Sequence, residues 1–264
     1  MSIREILEKL LRGEIDIERA ERMVKAVQIL EIGNIAKMDV LRELRSGAPE
    51  IILAEGKSPE DLVLIVRKVL EEKERAIISR ASKEHIDAIL KEIPLDQYTI
   101  EVHEKARIVI VRRKNAKPRK IGRKIGIIAA GTSDIPVAEE ARVISEELGC
   151  DTVTAYDVGI AGIHRLFPAL KKMIMEDVDV IIVIAGMEGA LPSIVASLVD
   201  LPVIGVPSSS GYGYGGRGVA ALMGMLQTCV PGLAVVNIDN GVHAAVFAYL
   251  ISKRVKDVLE KQKS

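Results

Sequence analysis

The sequence contains few of the residues that would identify its class at once. Among 264 residues there is no Trp, and there are only two Phe and two Cys. Two cysteines, Cys150 and Cys229, are too few for the disulfide framework of a secreted scaffold. Neither sign of charge is in excess, because 37 basic residues balance 37 acidic ones. A global field that attracts nucleic acid or an anionic membrane is therefore excluded, and any anion binding must be local.

Long apolar runs are also missing. The richest of them, VDVIIVIAG at residues 178–186, is far shorter than the ~20 residues of a membrane-spanning helix. The amino terminus is charged every few residues and lacks the apolar core of a signal peptide. It predicts instead an amphipathic helix opened by a capping box between Ser2 and Glu5. We therefore expect a cytoplasmic protein without membrane contact.

Residues 1–113 predict a small α/β domain. Helical patterns extend to about residue 30 and are followed by a βαβ-like unit, whose helix begins with the Ser58 cap and Pro59. Another helix is expected at residues 82–93. The expected strands are at residues 49–56, 75–79, 97–103 and 106–113. The next segment, 114–124, is rich in Lys and Arg and indicates an exposed basic linker.

Residues 125–264 show a regular alternation of apolar runs and helical segments. The runs are at residues 125–131, 151–159, 179–186, 202–207 and 233–238. Five such alternations in about 140 residues predict a parallel sheet with helices on both faces. The expected fold is a doubly wound, flavodoxin-like, three-layer α/β domain. Ligands bind such domains beyond the carboxyl ends of the strands, where the strand order reverses, so the loops after the strands matter most.

The loop after the first run contains Gly131, Thr132, Ser133 and Asp134. Glycine permits a tight exit from the strand, and Thr132 or Ser133 can cap the helix that follows. The free amides of a helix start can hold a phosphate. A capping turn without a ligand explains the same residues equally well.

The loop after the third run places Glu188 between Met187 and Gly189, shortly before a proline that starts a helix. A carboxylate in this position can act as a general base. The alternative is that Glu188 only favours the positive end of the helix, an effect of roughly 0.3–1 kcal/mol. From these residues alone the two interpretations have equal weight.

The fourth run ends in the sequence PSSSGYGYGGRGV, the most glycine-rich stretch of the chain. Its glycines allow close approach of the backbone to a ligand, and Arg217 can hold a phosphate or carboxylate. Residues 211–216 formally match a dinucleotide-binding motif, but that motif normally follows the first strand. We therefore favour a mobile lid over the substrate.

Two further residues are candidates for catalysis. A lone cysteine is usually a small buried hydrophobe, but Cys229 lies in a turn closed by Pro231 and Gly232, and this position adds weight to the alternative of a reactive thiol. Cys150 is expected to be structural. His243 follows the fifth run and so belongs to the ligand-binding edge of the sheet.

Several segments together resemble one family. They are GTSDIPVAEEA (131–141), AGMEGALPSIVASLVDLPVIGVP (185–207), GYGYGGRGVAALMGMLQTCVPGLAVVNIDNGVHAA (211–245), DVLRELRSGAPE (39–50) and GKSPE (56–60). Over essentially its whole length the chain resembles the LarB family, carboxylase/hydrolases that help to make the nickel-pincer nucleotide cofactor of lactate racemase. Its carboxy-terminal part also resembles the PurE-like aminoimidazole ribonucleotide carboxylases. Those purine enzymes have a histidine in the loop that here carries Glu188, and they lack a match to Cys229.

The resemblance implies a reaction. The pyridinium ring of nicotinic acid adenine dinucleotide is carboxylated at carbon five with CO2 or bicarbonate, and the phosphoanhydride is then cleaved to release AMP. Cys229 would add to the ring, Glu188 would remove a proton, and His243 is the third catalytic candidate. Mg²⁺ is the expected cofactor, with its ligands unassigned. The residues expected to bind substrate are Thr132, Ser133, Asp134, Met187, Gly189, Ser208, Gly213, Gly215, Gly216 and Arg217.

The resemblance also implies a homo-oligomer, with eight subunits expected as in the purine enzymes. Glu188 follows a strand, whereas Cys229 follows a helix and precedes the fifth strand. One subunit can bring the two together only if that helix ends early and the loop after it folds back. Otherwise the cysteine turn of one subunit completes the site of its neighbour.

Two other functions remain open from the sequence. A carboxyaminoimidazole ribonucleotide mutase of purine synthesis would need no covalent cysteine. A non-catalytic nucleotide-binding module would bind adenine dinucleotides without turnover.

Overall fold

The computed structural model describes residues 3–27, 29–32, 36–39, 43, 46–116, 118 and 120–262. The chain forms two compact units, one made of Met1–Val102 with Val109–Ala116 and the other of His103–Ile108 with Lys117–Ser264. Each unit has its own hydrophobic core. The capping box predicted at Ser2 lies outside the described residues.

The first unit opens with two helices and a hairpin. These elements are α1 (Ile3–Leu11), α2 (Ile17–Val27), β1 (Ile29–Ile32) and β2 (Ala36–Asp39). The helical pattern was predicted to reach about residue 30, whereas α2 ends at Val27 and β1 begins two residues later. The hairpin supplies the reason, because β1 pairs in antiparallel register with β2 and these non-local hydrogen bonds outweigh the local helical period.

The rest of the first unit is a four-stranded sheet with the order β3-β4-β6-β5. Its elements are β3 (Ile51–Leu53), α3 (Pro59–Glu72), β4 (Arg75–Ser79), α4 (Lys83–Glu92), β5 (Tyr98–His103) and β6 (Ile108–Arg113). Strands β3 and β4 are parallel and joined by α3, which is the predicted βαβ unit. The Ser58 hydroxyl accepts a hydrogen bond of 3.1 Å from the Asp61 amide and so caps α3, with Pro59 in its first turn.

The second unit contains a five-stranded parallel sheet with the order β11-β10-β9-β7-β8. Its strands are β7 (Lys124–Ala129), β8 (Asp151–Ala155), β9 (Val180–Ala185), β10 (Val203–Pro207) and β11 (Leu233–Val235). Its α-helices are α5 (Ile135–Glu147), α6 (Leu166–Met175), α7 (Leu191–Leu198), α8 (Val219–Leu226) and α9 (Gly241–Lys261). All four neighbouring pairs of strands are parallel.

The sheet is covered on both faces. Every residue of β9 and β10 is buried, which explains why these strands read as continuous apolar runs rather than alternating ones. Helices α5 and α9 pack together against one face. Apolar residues of α6, α7 and α8 share a core with β9 on the other face, among them Leu170, Val195 and Met225. The predicted doubly wound, three-layer α/β fold is confirmed.

Two strands of the parallel sheet are shorter than their apolar runs by three residues or more. Strand β8 ends at Ala155 instead of residue 159, and β11 covers three residues, Leu233–Val235, instead of six. Strand β11 is at the edge of the sheet and can pair only with β10. Beyond it, the amides of Val236 and Asp239 still donate hydrogen bonds to β10 carbonyl groups. Asp239 therefore lies beside Pro207, at the carboxyl end of β10.

The end of the basic segment is attached to this sheet. The Nε of Arg123 lies 2.9 Å from both carboxylate oxygens of Asp179, whose side chain is only 2% exposed. These hydrogen bonds raise the pKa of Arg123. Lys120 is paired with Asp151 at 2.5 Å. The last residues of the expected linker are therefore bound to acidic residues at the amino-terminal edge of the sheet.

Candidate active site

The order of the strands locates the candidate site. From β7 the chain passes to β8 on one side and to β9, β10 and β11 on the other. The strand order thus reverses between β8 and β9, which flank β7, and ligands of doubly wound sheets bind at such a point. The loops after β7, β9 and β10 all leave from the same edge because the strands are parallel.

The loop after β7 is held by Asp134. This side chain is buried, and it accepts a hydrogen bond of 2.9 Å from the Gly131 amide at Oδ2 and one of 2.6 Å from the Ser210 hydroxyl at Oδ1. The expectation that Thr132 or Ser133 caps the following helix is wrong, because Asp134 is the residue at the start of α5 and its carboxylate accepts a hydrogen bond from the Gly131 amide. Thr132 and Ser133 are exposed at the edge of the sheet, where they remain available to a ligand.

The loop after β9 presents Glu188 to solvent. Met187 and Gly189 have positive φ angles of 50° and 67°, so the chain turns sharply on both sides of Glu188. A Cβ atom on Gly189 would lie 2.5 Å from the carbonyl oxygen of Ala221 in α8, so only glycine fits. Within the part of the chain that the structure describes, no side chain is bonded to the Glu188 carboxylate. The acid is therefore free to act on a ligand.

The loop after β10 joins the other two. Ser208 is buried, and its hydroxyl lies 3.1 Å from that of Ser210. The Ser209 amide donates to Asp239 over 2.8 Å, so the loop is tied to residues after β7 and after β11. The glycine-rich loop, Gly211–Gly218, follows and ends where Gly218 adopts the left-handed conformation before α8. Arg217 is exposed in this loop, as is required of a residue that binds an anion.

The positions of Gly213, Gly215 and Gly216 differ in their surroundings. A Cβ on Gly215 would lie 2.2 Å from that of Ala220, and one on Gly216 would lie 3.3 Å from the Gly213 carbonyl oxygen. Gly213 has a φ of 81° and open space around it. Gly215 and Gly216 therefore allow the loop to fold on itself, and Gly213 leaves the outer side of the loop accessible.

Cys229 lies away from these loops, on the side of the amino-terminal edge of the sheet. Helix α8 runs back from the loop edge and ends at Leu226, three residues before the cysteine. The Gly232 carbonyl accepts a hydrogen bond from Val203, so the cysteine turn leads to the amino end of β10. Cys229 is nevertheless exposed, and its thiol is free rather than part of a disulfide.

Helix α8 connects the cysteine turn with the Glu188 loop. A Cβ on Gly224 would lie 2.2 Å from the carbonyl oxygen of Glu188. The backbone of Glu188 therefore rests on the last two turns of the helix that precedes Cys229. The helix is only eight residues long. A site within one subunit would also require the following loop to fold back toward Glu188, whereas the cysteine turn leads to the amino end of β10.

His243 lies in the first turn of α9. The Asn240 side chain caps this helix by accepting a hydrogen bond of 3.0 Å from the His243 amide, and its amide nitrogen lies 3.0 Å from Nδ1 of the His243 ring. The buried Glu140 of α5 also accepts a hydrogen bond from the Val242 amide. The exposed imidazole is thus held by a cap of its own helix, and its catalytic role remains a prediction.

The structure brings together residues that sequence reasoning left apart. Asp134, Ser208 and the glycine-rich loop meet around Ser210, which the sequence analysis did not single out. Its signal was the run of three serines next to the glycines, but only the fold shows which of the three reaches Asp134. Of the predicted residues, Cys229 and His243 make no contact of this kind with the group.

Among the described residues, no three His, Cys, Asp or Glu side chains cluster as a metal site would require. Within the same residues, no helix combines the length and the apolar character of a membrane span.

Comparison with known proteins accounts for both units. Residues 29–114 match the LarB/PurE-like N-terminal domain, and residues 124–263 match the AIR carboxylase family. An uncharacterized protein of Methanocaldococcus jannaschii is 48% identical over 255 residues, which is 96% of this chain and 97% of the relative. An N5-carboxyaminoimidazole ribonucleotide mutase of Pyrococcus horikoshii is 36% identical over 149 residues, covering 54% of this chain and 77% of the relative.

A phosphoribosylaminoimidazole carboxylase of Candida glabrata is 32% identical over 152 residues, which is 52% of this chain and 25% of the relative. The purine enzymes thus match about half of the chain, whereas the uncharacterized Methanocaldococcus jannaschii protein matches nearly all of it. The resemblance inferred from the sequence is confirmed, and the chain belongs to the LarB-like family, in which a LarB/PurE-like amino-terminal domain precedes a PurE-like AIR carboxylase domain.

Proposed function

We propose that the protein is a pyridinium-3,5-biscarboxylic acid mononucleotide synthase. It would carboxylate the pyridinium ring of nicotinic acid adenine dinucleotide at carbon five and then hydrolyse the phosphoanhydride to release AMP, in the synthesis of the nickel-pincer nucleotide. The observation that carries this proposal is the exposed thiol of Cys229 at the end of the helix on which the Glu188 loop rests. A nucleophile and a base with free side chains are the two groups that the reaction needs.

The first step uses the electrophilic character of the ring. The Cys229 thiolate forms a bond to carbon four, and the electron pair displaced from the ring neutralises the pyridinium nitrogen. The resulting enamine is nucleophilic at carbon five, where it attacks CO2 and forms the new carbon–carbon bond. The ring nitrogen regains its positive charge in this step, so no external reductant or oxidant is required.

The second step restores the ring. Glu188 accepts the proton from carbon five, and the electron pair of that bond re-forms the enamine. Expulsion of the Cys229 thiolate from carbon four then restores the aromatic pyridinium, which now carries a second carboxylate. The exposure of Glu188 supports this role, because its carboxylate is not committed to a partner among the described residues.

The exposed residues around the loop edge suit the phosphates of the dinucleotide. Thr132 and Ser133 offer hydroxyl groups at the start of α5, and Arg217 offers a guanidinium group in the glycine-rich loop. Water would attack the phosphoanhydride to release AMP. Asp134 and Ser208 were expected to touch the substrate, but both are buried and bonded within the chain. Their contact with substrate stays a prediction.

Mg²⁺ fits this site only if the substrate supplies most of its ligands. The described residues hold no cluster of three side chains of metal-binding type, but Mg²⁺ commonly binds through one or two carboxylates together with phosphates and water. Asp239, half-buried after β11, is a carboxylate at this edge, where it accepts a hydrogen bond from the Ser209 amide. When bound, the ion would neutralise the charge of the phosphates.

One assay tests the proposal. The purified protein is incubated with nicotinic acid adenine dinucleotide and ¹³C-bicarbonate, and the products are analysed by mass spectrometry. We expect a labelled dicarboxylated mononucleotide together with AMP. Binding of the dinucleotide without formation of either product would contradict the proposal and indicate a non-catalytic nucleotide-binding module.

A second candidate is the mutase activity of purine synthesis. It is favoured by the 36% identity of the carboxy-terminal half to the named mutase. That reaction requires no covalent cysteine. Conversion of N5-carboxyaminoimidazole ribonucleotide at full rate by a Cys229→Ala variant would therefore favour the mutase over the proposed activity.

A further inference from the structure

Three loops interlock at one hydroxyl group. The Ser210 hydroxyl donates to Asp134 over 2.6 Å and lies 3.1 Å from the Ser208 hydroxyl. A Cβ on Gly186, after β9, would lie 2.5 Å from the Ser210 oxygen. A Cβ on Gly211 would lie 2.9 Å from the amide nitrogen of Met187. The loops after β7, β9 and β10 therefore meet around Ser210, directly beside the residue that precedes Glu188.

We infer that Ser210 is a positioning residue that holds the start of the glycine-rich loop against the Glu188 loop through its hydrogen bond to Asp134. This inference rests on the proposed function for its catalytic consequence, because the glycine-rich loop is where the phosphates of the dinucleotide are expected. Ser210 contributes no group to the reaction. It sets the distance between the phosphate-binding loop and the base.

The hydrogen bond has the features of a strong one. Its acceptor is a carboxylate that is 3% exposed, and its length is that of a charge-assisted O–H···O⁻ bond. If the hydroxyl is removed, Oδ1 of Asp134 is left without this donor in a buried position, where an unsatisfied charge is costly. Oδ2 keeps its bond to the Gly131 amide, so the loop after β7 retains its own turn.

The placement of the glycine-rich loop depends on the restraints at its two ends. Within it, the Gly216 amide donates to the Gly213 carbonyl over 3.2 Å, and Gly213 itself has open space around it. A glycine-rich segment loses more conformational entropy on ordering than any other. A restraint at Ser210 therefore has a large effect on how the loop is placed.

The neighbouring serine supplies a matched control. Ser209 reaches Asp239 through its backbone amide, and its side chain is exposed. A Ser209→Ala variant keeps that hydrogen bond, whereas Ser210→Ala loses the hydroxyl that reaches Asp134. The two variants remove the same atom from adjacent positions.

Hydrogen exchange measured by mass spectrometry tests the inference without any assumption about the reaction. In Ser210→Ala we expect amides of residues 208–218 to exchange roughly tenfold faster than in the wild type, because a charge-assisted hydrogen bond no longer opposes local opening. Ser209→Ala should exchange at the wild-type rate. Gly186→Ala, which displaces the Ser210 hydroxyl from the other side, should reproduce the Ser210→Ala pattern.

Kinetics separate positioning from stability. We expect Ser210→Ala to raise KM for the dinucleotide roughly tenfold with a smaller change in kcat, and Ser210→Thr, which keeps the hydroxyl, to restore most of the difference. Unchanged exchange in residues 208–218 would overturn the inference, and so would faster exchange throughout residues 124–262, which indicates a general loss of stability. If the wild type has no turnover, the proposed function fails while the exchange comparison still decides the role of Ser210.

Discussion

At the scale of single residues, the two cysteines have opposite surroundings. Cys150 is fully buried, and this burial raises the pKa of its thiol to about 12. Its thiol is therefore protonated at neutral pH, as expected of a structural cysteine. Cys229 is exposed in a turn that a ligand can reach. The difference in environment, and not the residue type, distinguishes the candidate nucleophile.

The Cys229→Ser substitution tests the nucleophile. We expect carboxylation to fall below about a tenth of the wild-type rate while the dinucleotide still binds, because an alcohol is a far weaker nucleophile than a thiolate at neutral pH. Labelled product is measured by mass spectrometry and binding by calorimetry. Cys150→Ala is the control and should carboxylate at nearly the wild-type rate. A Cys229→Ser rate above that tenth contradicts the covalent mechanism.

The Glu188→Gln substitution tests the base. The amide keeps the shape of the side chain but cannot accept a proton, so turnover should fall roughly 10²–10⁴-fold. The adduct between Cys229 and the ring should then accumulate, and intact-protein mass spectrometry would detect it. Asp200→Asn, another exposed acid beyond α7, is the control and should leave the rate unchanged. A normal rate in Glu188→Gln would assign that residue to the helix end instead.

At the scale of elements, α8 lies directly against the backbone of the Glu188 loop. Alanine normally favours a helix interior over glycine by about 1 kcal/mol. In Gly224→Ala, however, the new Cβ would lie 2.2 Å from a backbone oxygen of Glu188, so the loop or the helix must move. We expect a lower Tm and a lower rate, measured by calorimetry and by the labelled-product assay. A raised Tm would show that the loop does not rest on α8.

A second element-scale contact joins α5 to the segment after β8. Glu139 accepts hydrogen bonds from the Tyr156 hydroxyl at 2.5 Å and from Arg142. Partial burial opposes its ionisation, but the hydrogen bonds from Arg142 and Tyr156 prevail and lower the pKa of Glu139. The ionised carboxylate therefore stabilises the folded state above its ordinary pKa, and this contribution is lost as the pH falls through the lowered value.

Glu139→Gln should consequently reduce the free energy of unfolding by roughly 1–2 kcal/mol at neutral pH, with the difference from the wild type shrinking as the medium is acidified. Denaturant unfolding at a series of pH values measures it. The same substitution at Glu71, whose side chain is 57% exposed in its pair with Lys68, should have little effect at any pH. A difference that grows on acidification would contradict the assignment.

At the scale of the whole molecule, the question is whether one chain completes its site. Helix α8 carries the Glu188 loop and ends shortly before Cys229, but the cysteine turn leads to the amino end of β10. Exposed apolar residues on α8 and α9, including Met223 and Phe247, provide surfaces for association. We expect a homo-oligomer whose sites combine Cys229 of one subunit with Glu188 of another.

Complementation tests shared sites. Cys229→Ala and Glu188→Gln chains, each inactive alone, are co-expressed with different affinity tags and purified through both. Mixed oligomers should regain part of the carboxylation activity, because some interfaces then pair an intact Glu188 with an intact Cys229. Mixed oligomers that form and remain inactive would place the whole site within one chain.

Much of this architecture follows from local sequence patterns. The five apolar runs predicted the parallel sheet, because strands buried on both faces contain few polar residues. The Ser58-Pro59 pair predicted the start of α3 for an equally local reason. The hairpin of β1 and β2 was missed, since its four-residue strands are stabilised by each other and carry little periodic signal.

Residue types and their spacing were sufficient to predict the doubly wound domain, the loops that leave its carboxyl edge and the membership of the LarB-like family. Which residues of those loops are free, and which are bonded within the chain, depends on the folded arrangement. Asp134 and Ser208 are buried and bonded, Glu188 is exposed, and Ser210 joins three loops. The reason is physical: a hydrogen bond between Ser210 and Asp134 joins residues 76 positions apart, and no local pattern specifies it.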